Sequence, residues 1–254
     1  MPLAPKGHMM VRIAALGDLH YSKTSSRNWS ALFTQVGQAA DLLVLCGDLT
    51  DYGLVDEAQG LARELVASLK IPVVAVLGNH DYESGREADV RATLMESQVQ
   101  VLDGETCEVH GIGFAGVKGF AGGFGRGTLG AWGEPAVKLF VQEAINESLK
   151  FEAALARLRT EYRIAVLHYS PIAATVEGEP REIFPYLGTS RLEEPVDRYR
   201  VAAVFHGHAH NGSPEGETLS HVPVYNVALP LLQKRTPAQP FKVLSLGTLP
   251  DAPR

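Results

Sequence analysis

Two aspartates, one asparagine and four histidines stand where apolar runs of this chain stop: Asp18 and His20, Asp48, Asn79, His168, then His208 and His210. Carboxylate, carboxamide and imidazole together make a mixed oxygen and nitrogen donor set for metal, and seven such groups suffice for two ions that share a bridging carboxylate. Asp18 and His20, like His208 and His210, are two residues apart, so in an extended chain their side chains leave on the same face. A His80-Asp81 pair directly after Asn79 is left over.

The elements that must deliver these groups are short apolar runs. Residues 11–16, 42–46 and 73–77 run into Gly17, Gly47 and Gly78, residues 201–205 run into His206-Gly207, and residues 164–167 end directly on His168. Each reads as a buried strand, and the run ending at Asp48 is the hub. Between them lie helical spacings. Trp29, Leu32, Phe33 and Val36 are closed by Gly37; Leu54, Leu61, Leu65, Val66 and Leu69 oppose Asp56, Glu57, Arg63 and Glu64; a third helix reaches about Ser97 with Val90 and Leu94 inward. Strands alternating with helices predict a sheet covered by helices, with ligands at the carboxyl ends of the strands.

From residue 99 the texture changes to short strands, 99–102 and 106–117, followed by six glycines in residues 119–130, which read as a loop. Pro135 opens a long helix through Val137, Phe140, Val141, Ile145, Leu149, Phe151, Leu155 and Leu158, ending near Tyr162. Residues 170–190 read as an irregular excursion, 192–199 as a short helix, and 222–228 and 241–246 as closing strands. Residues 1–9 are expected to be a frayed or appended arm, which leaves His8 out of the site, residues 10–249 one domain, and 250–254 a short polar tail.

A chain of 254 residues with 45% hydrophobic and 20% charged residues can bury one sizeable core. The net charge of −6 and the lack of a lysine or arginine block argue against a protein that tracks long nucleic acid. No apolar stretch is long enough to span a membrane and no signal-peptide block opens the chain, so a cytoplasmic protein is expected. Cys46 and Cys107 lack partner spacing and read as reduced, strand-borne thiols.

The ordered set Asp18-Leu19-His20, Gly47-Asp48, Gly78-Asn79-His80-Asp81, His168 and Gly207-His208-Ala209-His210 resembles the calcineurin-like metallophosphoesterases, whose pattern is D-x-H, G-D, G-N-H-D/E, H and G-H-x-H. The resemblance spans residues 11–243 and implies an α/β fold of two face-to-face mixed sheets flanked by helices, a four-layer α-β-β-α sandwich. It implies two divalent ions, of Mn, Fe, Zn or Co, with Asp18, His20, Asp48 and His210 on one and Asp48, Asn79, His168 and His208 on the other. An Asn ligand leaves such a centre more cationic, and so better able to hold phosphate, than a third carboxylate would. Hydrolysis by a metal-bridging hydroxide follows, with His80 stabilising charge or protonating the leaving group and Asp81 orienting it.

The pattern is similar to that of the bacterial class III cyclic-nucleotide phosphodiesterase branch, which points to a small phosphodiester, a cyclic nucleotide being one form. A broad-specificity phosphomonoesterase is the alternative, and a non-catalytic metal-binding scaffold is a third reading. Tyr21, Tyr82 and Tyr169 each follow a motif residue and are candidates for an aromatic rim around a nucleobase or aryl group, with loop packing as the competing explanation. Arg126 in the glycine-rich loop is the candidate phosphate contact, ahead of Arg86 and Arg181, and the loop itself a candidate lid. His206 reads as a core histidine or a support for the ligands; His110 and His221 carry no functional argument.

Overall fold

A run such as Leu42–Cys46, with no charged or hydrogen-bonding side chain, is stable only where both of its faces are covered. In the computed structural model, which describes residues 9–24 and 27–248, this run is β2 and is buried along its whole length. The chain order is β1 (Met9–Leu16), α1 (Trp29–Ala39), β2 (Leu42–Cys46), α2 (Val55–Ser68), β3 (Val73–Val76), α3 (Glu87–Glu96), β4 (Val99–Val101), β5 (Thr106–Val109), β6 (Ile112–Val117) and α4 (Pro135–Arg157). It continues with β7 (Tyr162–Leu167), α5 (Phe184–Leu187), α6 (Glu193–Arg198), β8 (Ala203–His206), β9 (Glu215–Glu217), β10 (Pro223–Asn226), α7 (Leu229–Arg235) and β11 (Lys242–Thr248).

The strands form a five-stranded sheet ordered β11-β1-β2-β3-β4 and a six-stranded sheet ordered β5-β6-β7-β8-β10-β9. Strands β1 to β4 run parallel and β11 antiparallel; β6, β7, β8 and β10 run parallel, with β5 and β9 antiparallel at the edges. Strand alternation sorts the side chains into layers. Ile13 and Ala15 meet Val44, Val76, Phe114, Val166 and Phe205 between the sheets. Ala14 and Leu16 face Phe33, Leu61 and Leu94 of the first three helices, and Val117, Ala165 and Leu167 face Phe151 and Leu155 of α4 and Val196 of α6. The expected four-layer α-β-β-α order is therefore present.

Several local expectations change. Helix α1 continues through Gly37 to Ala39, and α4 stops at Arg157, short of Tyr162, because Tyr162 starts β7. Glu57 is buried instead of outward, since its carboxylate accepts from the Tyr52 and Leu54 backbone N–H groups that open α2. Val66, Val137 and Leu149 point outward. The exposed β9 carries no apolar run that would announce it, and the apolar run 227–232 that opens α7 is interrupted by Pro230 and carries no helical spacing. Met9 belongs to β1; the rest of the expected arm, residues 1–8, and the 250–254 tail lie outside the described residues. Cys46 is buried and Cys107 half-buried, both as free thiols. No described helix is long and apolar enough to cross a membrane.

Candidate metal centre

The carboxyl ends of β1, β2, β3, β7 and β8 meet at one edge of the two sheets, and the residues that follow them turn back into a shared space. That turn is strained. Asp18, His20, Asp48 and His208 have φ of 55°, 44°, 47° and 70°, half of the eight described non-glycine residues at positive φ. The adjoining glycines explain how the carboxylates get so close to neighbouring backbone. A Cβ on Gly78 would lie 2.2 Å from Asp48 Oδ1, and one on Gly207 would lie 2.3 Å from Asp18 Oδ2.

The result is a chain of overlapping donor groups. Asp18, His20 and His210 form one trio, His20, Asp48 and His80 a second, and Asp48, His168 and His208 a third, the ligand atoms within each lying within 4.8 Å of one another. Asp18 is buried and accepts from the His208 backbone N–H at 2.9 Å and from His210 Nε2 at 3.0 Å. Asp48 accepts from the His80 backbone N–H at 2.8 Å and lies 3.4 Å from His168 Nε2 and 3.8 Å from His20 Nε2. Asn79 completes the third trio, with Oδ1 2.8 Å from His168 Nε2.

Two observations fit this constellation to cations. His168 Nδ1 lies 2.9 Å from the Cys46 carbonyl and must donate to it. Burial lowers the His168 pKa, so the ring is neutral and its Nε2 presents a lone pair toward Asn79 Oδ1 and Asp48 Oδ1, which are also acceptors. Acceptors that converge without a proton are satisfied by a metal ion. Second, His20 Nε2 is buried with no hydrogen-bond partner, facing Asp48 Oδ2. Burial also lowers His20 and takes His208 down to about 3, keeping both imidazoles neutral as ligation requires. For Asp18, burial is outweighed by the hydrogen bond and charge of His210, and the carboxyl is held low; Asp48 is pushed up by burial and by the charge of Asp18. Without a cation the charge of Asp18 opposes ionisation of Asp48.

His80 sits beside this chain, its ring 4.5 Å from that of His20 and nearly perpendicular to it. The expectation that Asp81 orients it is corrected by the structure. His80 Nδ1 donates to the Asp51 carbonyl at 2.7 Å, and the Asp51 carboxylate lies 3.4 Å from His20 Nδ1, so Asp51 supports both rings. Asp81 is fully buried and spends its oxygens on Gly78 N–H, Leu49 N–H, and the N–H and hydroxyl of Thr50, at 2.6 to 3.1 Å. Burial raises its pKa to about 6, which leaves it ionised at neutral pH. It ties the loop after β3 to the loop after β2. Asp81→Ala strands four buried donors, each at about 1–3 kcal/mol, so a stability loss of about 4 kcal/mol or more is expected in urea unfolding of the metal-free protein. A loss below 1 kcal/mol would refute the tie.

The remaining candidates divide. Tyr169 is buried with its ring 4.5 Å from that of His208, and Tyr82 is half-buried. Tyr21 turns away from the centre to pack on Trp29 and against Gly60 of α2. Arg126 is exposed in the tight turn Gly125–Gly127, and no hydrogen bond or ion pair joins it to the ligand cluster among the described residues. The glycine-rich loop is anchored instead to α5 and the segment after it, through Gly122 N–H to the Pro185 carbonyl, Gly123 N–H to Gly188 and Gly125 N–H to Ser190 Oγ. Arg181 lines a cavity of 570 Å³ with Phe124 and Phe184 beside that loop, and Arg86 pairs with Asp89. His206 is buried, bonded to Thr175 Oγ1 and the Gly207 carbonyl, and stays outside the cluster. Lys118, at the end of β6, was not anticipated.

The calcineurin-like phosphoesterase family model matches residues 11–212. No curated protein matches the chain. Among solved structures, the phosphopantetheinyl hydrolase PptH from Mycobacterium tuberculosis is similar at 17% identity and a TM-score of 0.66, over 95% of this chain and 98% of that one. TT1561 of Thermus thermophilus is similar at 15% identity and a TM-score of 0.52, over 94% and 99% of the two chains. A Staphylococcus aureus protein described as a candidate 5′-nucleotidase, in complex with alpha-ketoglutarate, gives 15% identity and 0.52 over 86% of this chain and 48% of its own. At these identities the structures speak for the fold alone. Because the family model covers most of the sequence and ends just past the last of the five strand-end motifs, the chain belongs to the calcineurin-like phosphoesterase family.

Proposed function

We propose that this protein is a dinuclear metal-dependent phosphodiesterase for small substrates, cyclic nucleotides among them. The observation that carries the metal dependence is the convergence of His168 Nε2, Asn79 Oδ1 and Asp48 Oδ1 with no proton to share. Asp18, His20, Asp48 and His210 would hold one divalent ion and Asp48, Asn79, His168 and His208 the other. Bound there, such a pair supplies an acidified water and positive charge for the phosphoryl oxygens. The chain's own residues do the rest. The Cys46 carbonyl fixes the His168 tautomer, the Tyr186 carbonyl, 3.2 Å from His208 Nε2, does the same for His208, and Asp51 orients His80 beside the reacting group.

The diester preference rests on charge. Among the described residues no hydrogen bond or ion pair joins a lysine ammonium or an arginine guanidinium to any of the seven proposed ligands. A diester carries one negative charge at the scissile phosphorus and a monoester up to two, so a centre without added guanidinium or ammonium suits the diester better. With metal-loaded protein, kcat/KM for bis(4-nitrophenyl) phosphate is expected to exceed that for 4-nitrophenyl phosphate, and a 2′,3′- or 3′,5′-cyclic nucleotide is expected to be cleaved. Monoester preference above about tenfold, roughly 1.4 kcal/mol of transition-state discrimination, would overturn the diester choice and favour the monoesterase. Stoichiometric metal with no turnover of any ester would favour the scaffold.

A further inference from the structure

Strand β6 ends as the ligand-bearing strands do, with an apolar run followed by a polar side chain and a glycine, here Lys118-Gly119. Among the described residues Lys118 is the one lysine or arginine that is buried, at 8% exposure. Its carbonyl accepts from the backbone N–H groups of His168 and Tyr169, both at 3.1 Å, which locks it to the strand end that carries a proposed ligand. Its Nζ stands over three aromatic rings, 4.9 Å from Phe120, 5.3 Å from Tyr169 and 5.4 Å from Tyr82. Tyr82 follows the loop of Asn79 and Tyr169 follows His168, so the ammonium is held between the two segments that build one side of the centre.

A buried ammonium needs compensation, and the protein supplies only part of it. The ring faces help, and Nζ donates to the Gly119 carbonyl at 2.8 Å. Glu147, the acidic residue whose charge acts most on Lys118, is engaged elsewhere: one oxygen accepts from Gly119 N–H at 2.7 Å and the other is paired with Lys150. Two of the three ammonium donors therefore have no acceptor among the described residues. A side chain needed only to fill the space between the rings would be apolar.

We propose that Lys118 is a specificity-determining residue that binds a second phosphate of the substrate, distinct from the scissile one. This rests on the phosphodiester reading and narrows it: the preferred substrate is a small diester bearing a further phosphate, whose connecting atoms run along the Tyr169 and Phe120 rings. Among the described residues the Lys118 ammonium makes no hydrogen bond to the proposed ligands, and the Tyr169 ring stands beside both it and His208, so the charge serves a group one step out from the reacting phosphorus. Two free donors on a compact cation suit phosphate oxygens.

The test compares two 4-nitrophenyl phosphodiesters with the same leaving group, one with an ethyl second arm and one with a phosphoethyl arm, on wild type, K118M, K118Q and K118R. Wild type is expected to favour the phosphate-bearing ester about tenfold in kcat/KM, through KM. K118M and K118Q should erase that preference while changing the ethyl ester less than about threefold, with K118R retaining part of it. Equal losses on both esters would show a structural role, and a preference that survives K118M and K118Q would place the phosphate elsewhere; either overturns the assignment. Calorimetric titration of propyl phosphate and propane-1,3-diyl bisphosphate into metal-loaded protein answers independently of turnover. If neither ester is hydrolysed the diester reading fails alone, and Lys118 stands or falls on whether wild type, unlike K118M, binds the bisphosphate more tightly.

Discussion

Asp48→Ala is expected to abolish phosphoester turnover and to lower metal content more than any other single substitution at the centre. Asp48 joins the group containing His20 and His80 to the group containing His168 and His208, and its two oxygens face opposite ways, Oδ1 toward His168 and Oδ2 toward His20. Removing it takes a ligand from both proposed ions and leaves the His80 backbone N–H without its acceptor. Asp48→Asn keeps the shape and separates charge from packing. In metal-free protein, burial and the charge of Asp18 raise the Asp48 carboxyl, so the folded state holds its proton more tightly than the unfolded state does. Stability then falls as pH rises from the ordinary carboxylate range toward that raised value. Asp48→Asn removes this penalty and should raise the Tm of the metal-free protein at neutral pH, by about 2–4 °C per kcal/mol relieved for a chain of this size, while weakening the Tm increase that added metal produces. Elemental analysis finding two ions retained in Asp48→Ala would refute the bridging role.

The opposite responses expected with and without metal reflect how the centre is built. Four of its residues hold left-handed backbone conformations at about 1–3 kcal/mol each, and the charge of Asp18 opposes that of Asp48. The apolar layers on both faces of each sheet offset that strain. Phe114 and Phe205, fully buried between the sheets, each contribute about 2–3 kcal/mol through area removed from water.

The same division explains what the sequence could reveal. Leu42–Cys46 and Val73–Val76 declare themselves because a wholly apolar run has no stable place but a covered strand, and the glycine after each marks where the chain must turn without a Cβ. The seven ligand candidates were legible because each follows such a run. Asp81 was misread because adjacency to His80 in sequence says nothing of side-chain direction; its carboxylate points to Gly78 N–H in its own loop and to backbone donors after β2, the latter contacts set by sheet pairing across some 30 residues. Asp51 and Lys118 were missed for related reasons. Asp51 acts on His80 through a carbonyl that every residue possesses, and Lys118 follows its strand like the others but is not a residue type that ligates metal. Glu57 looked like a solvated helix face because charge pattern does not show a carboxylate folding back onto its own helix start.

His80→Ala is expected to keep both metal ions yet lower kcat by about 10² to 10⁴, the range for removing a general acid or base. The Asp51 carbonyl occupies Nδ1, so Nε2 is the nitrogen left to meet the substrate, and the perpendicular His20 ring restricts how far the imidazole can swing. A proton on Nε2 would be delivered to the departing oxygen as the P–O bond breaks. Nitrophenolate leaves readily without that proton and an alkoxide does not. The loss in His80→Ala should therefore be small for 4-nitrophenyl esters and approach its full size for alkyl esters. Equal losses on both would assign His80 to charge stabilisation at the phosphoryl oxygens instead. Loss of metal from the variant would make His80 a ligand through its trio with His20 and Asp48, and elemental analysis run beside the kinetics separates that outcome from the other two.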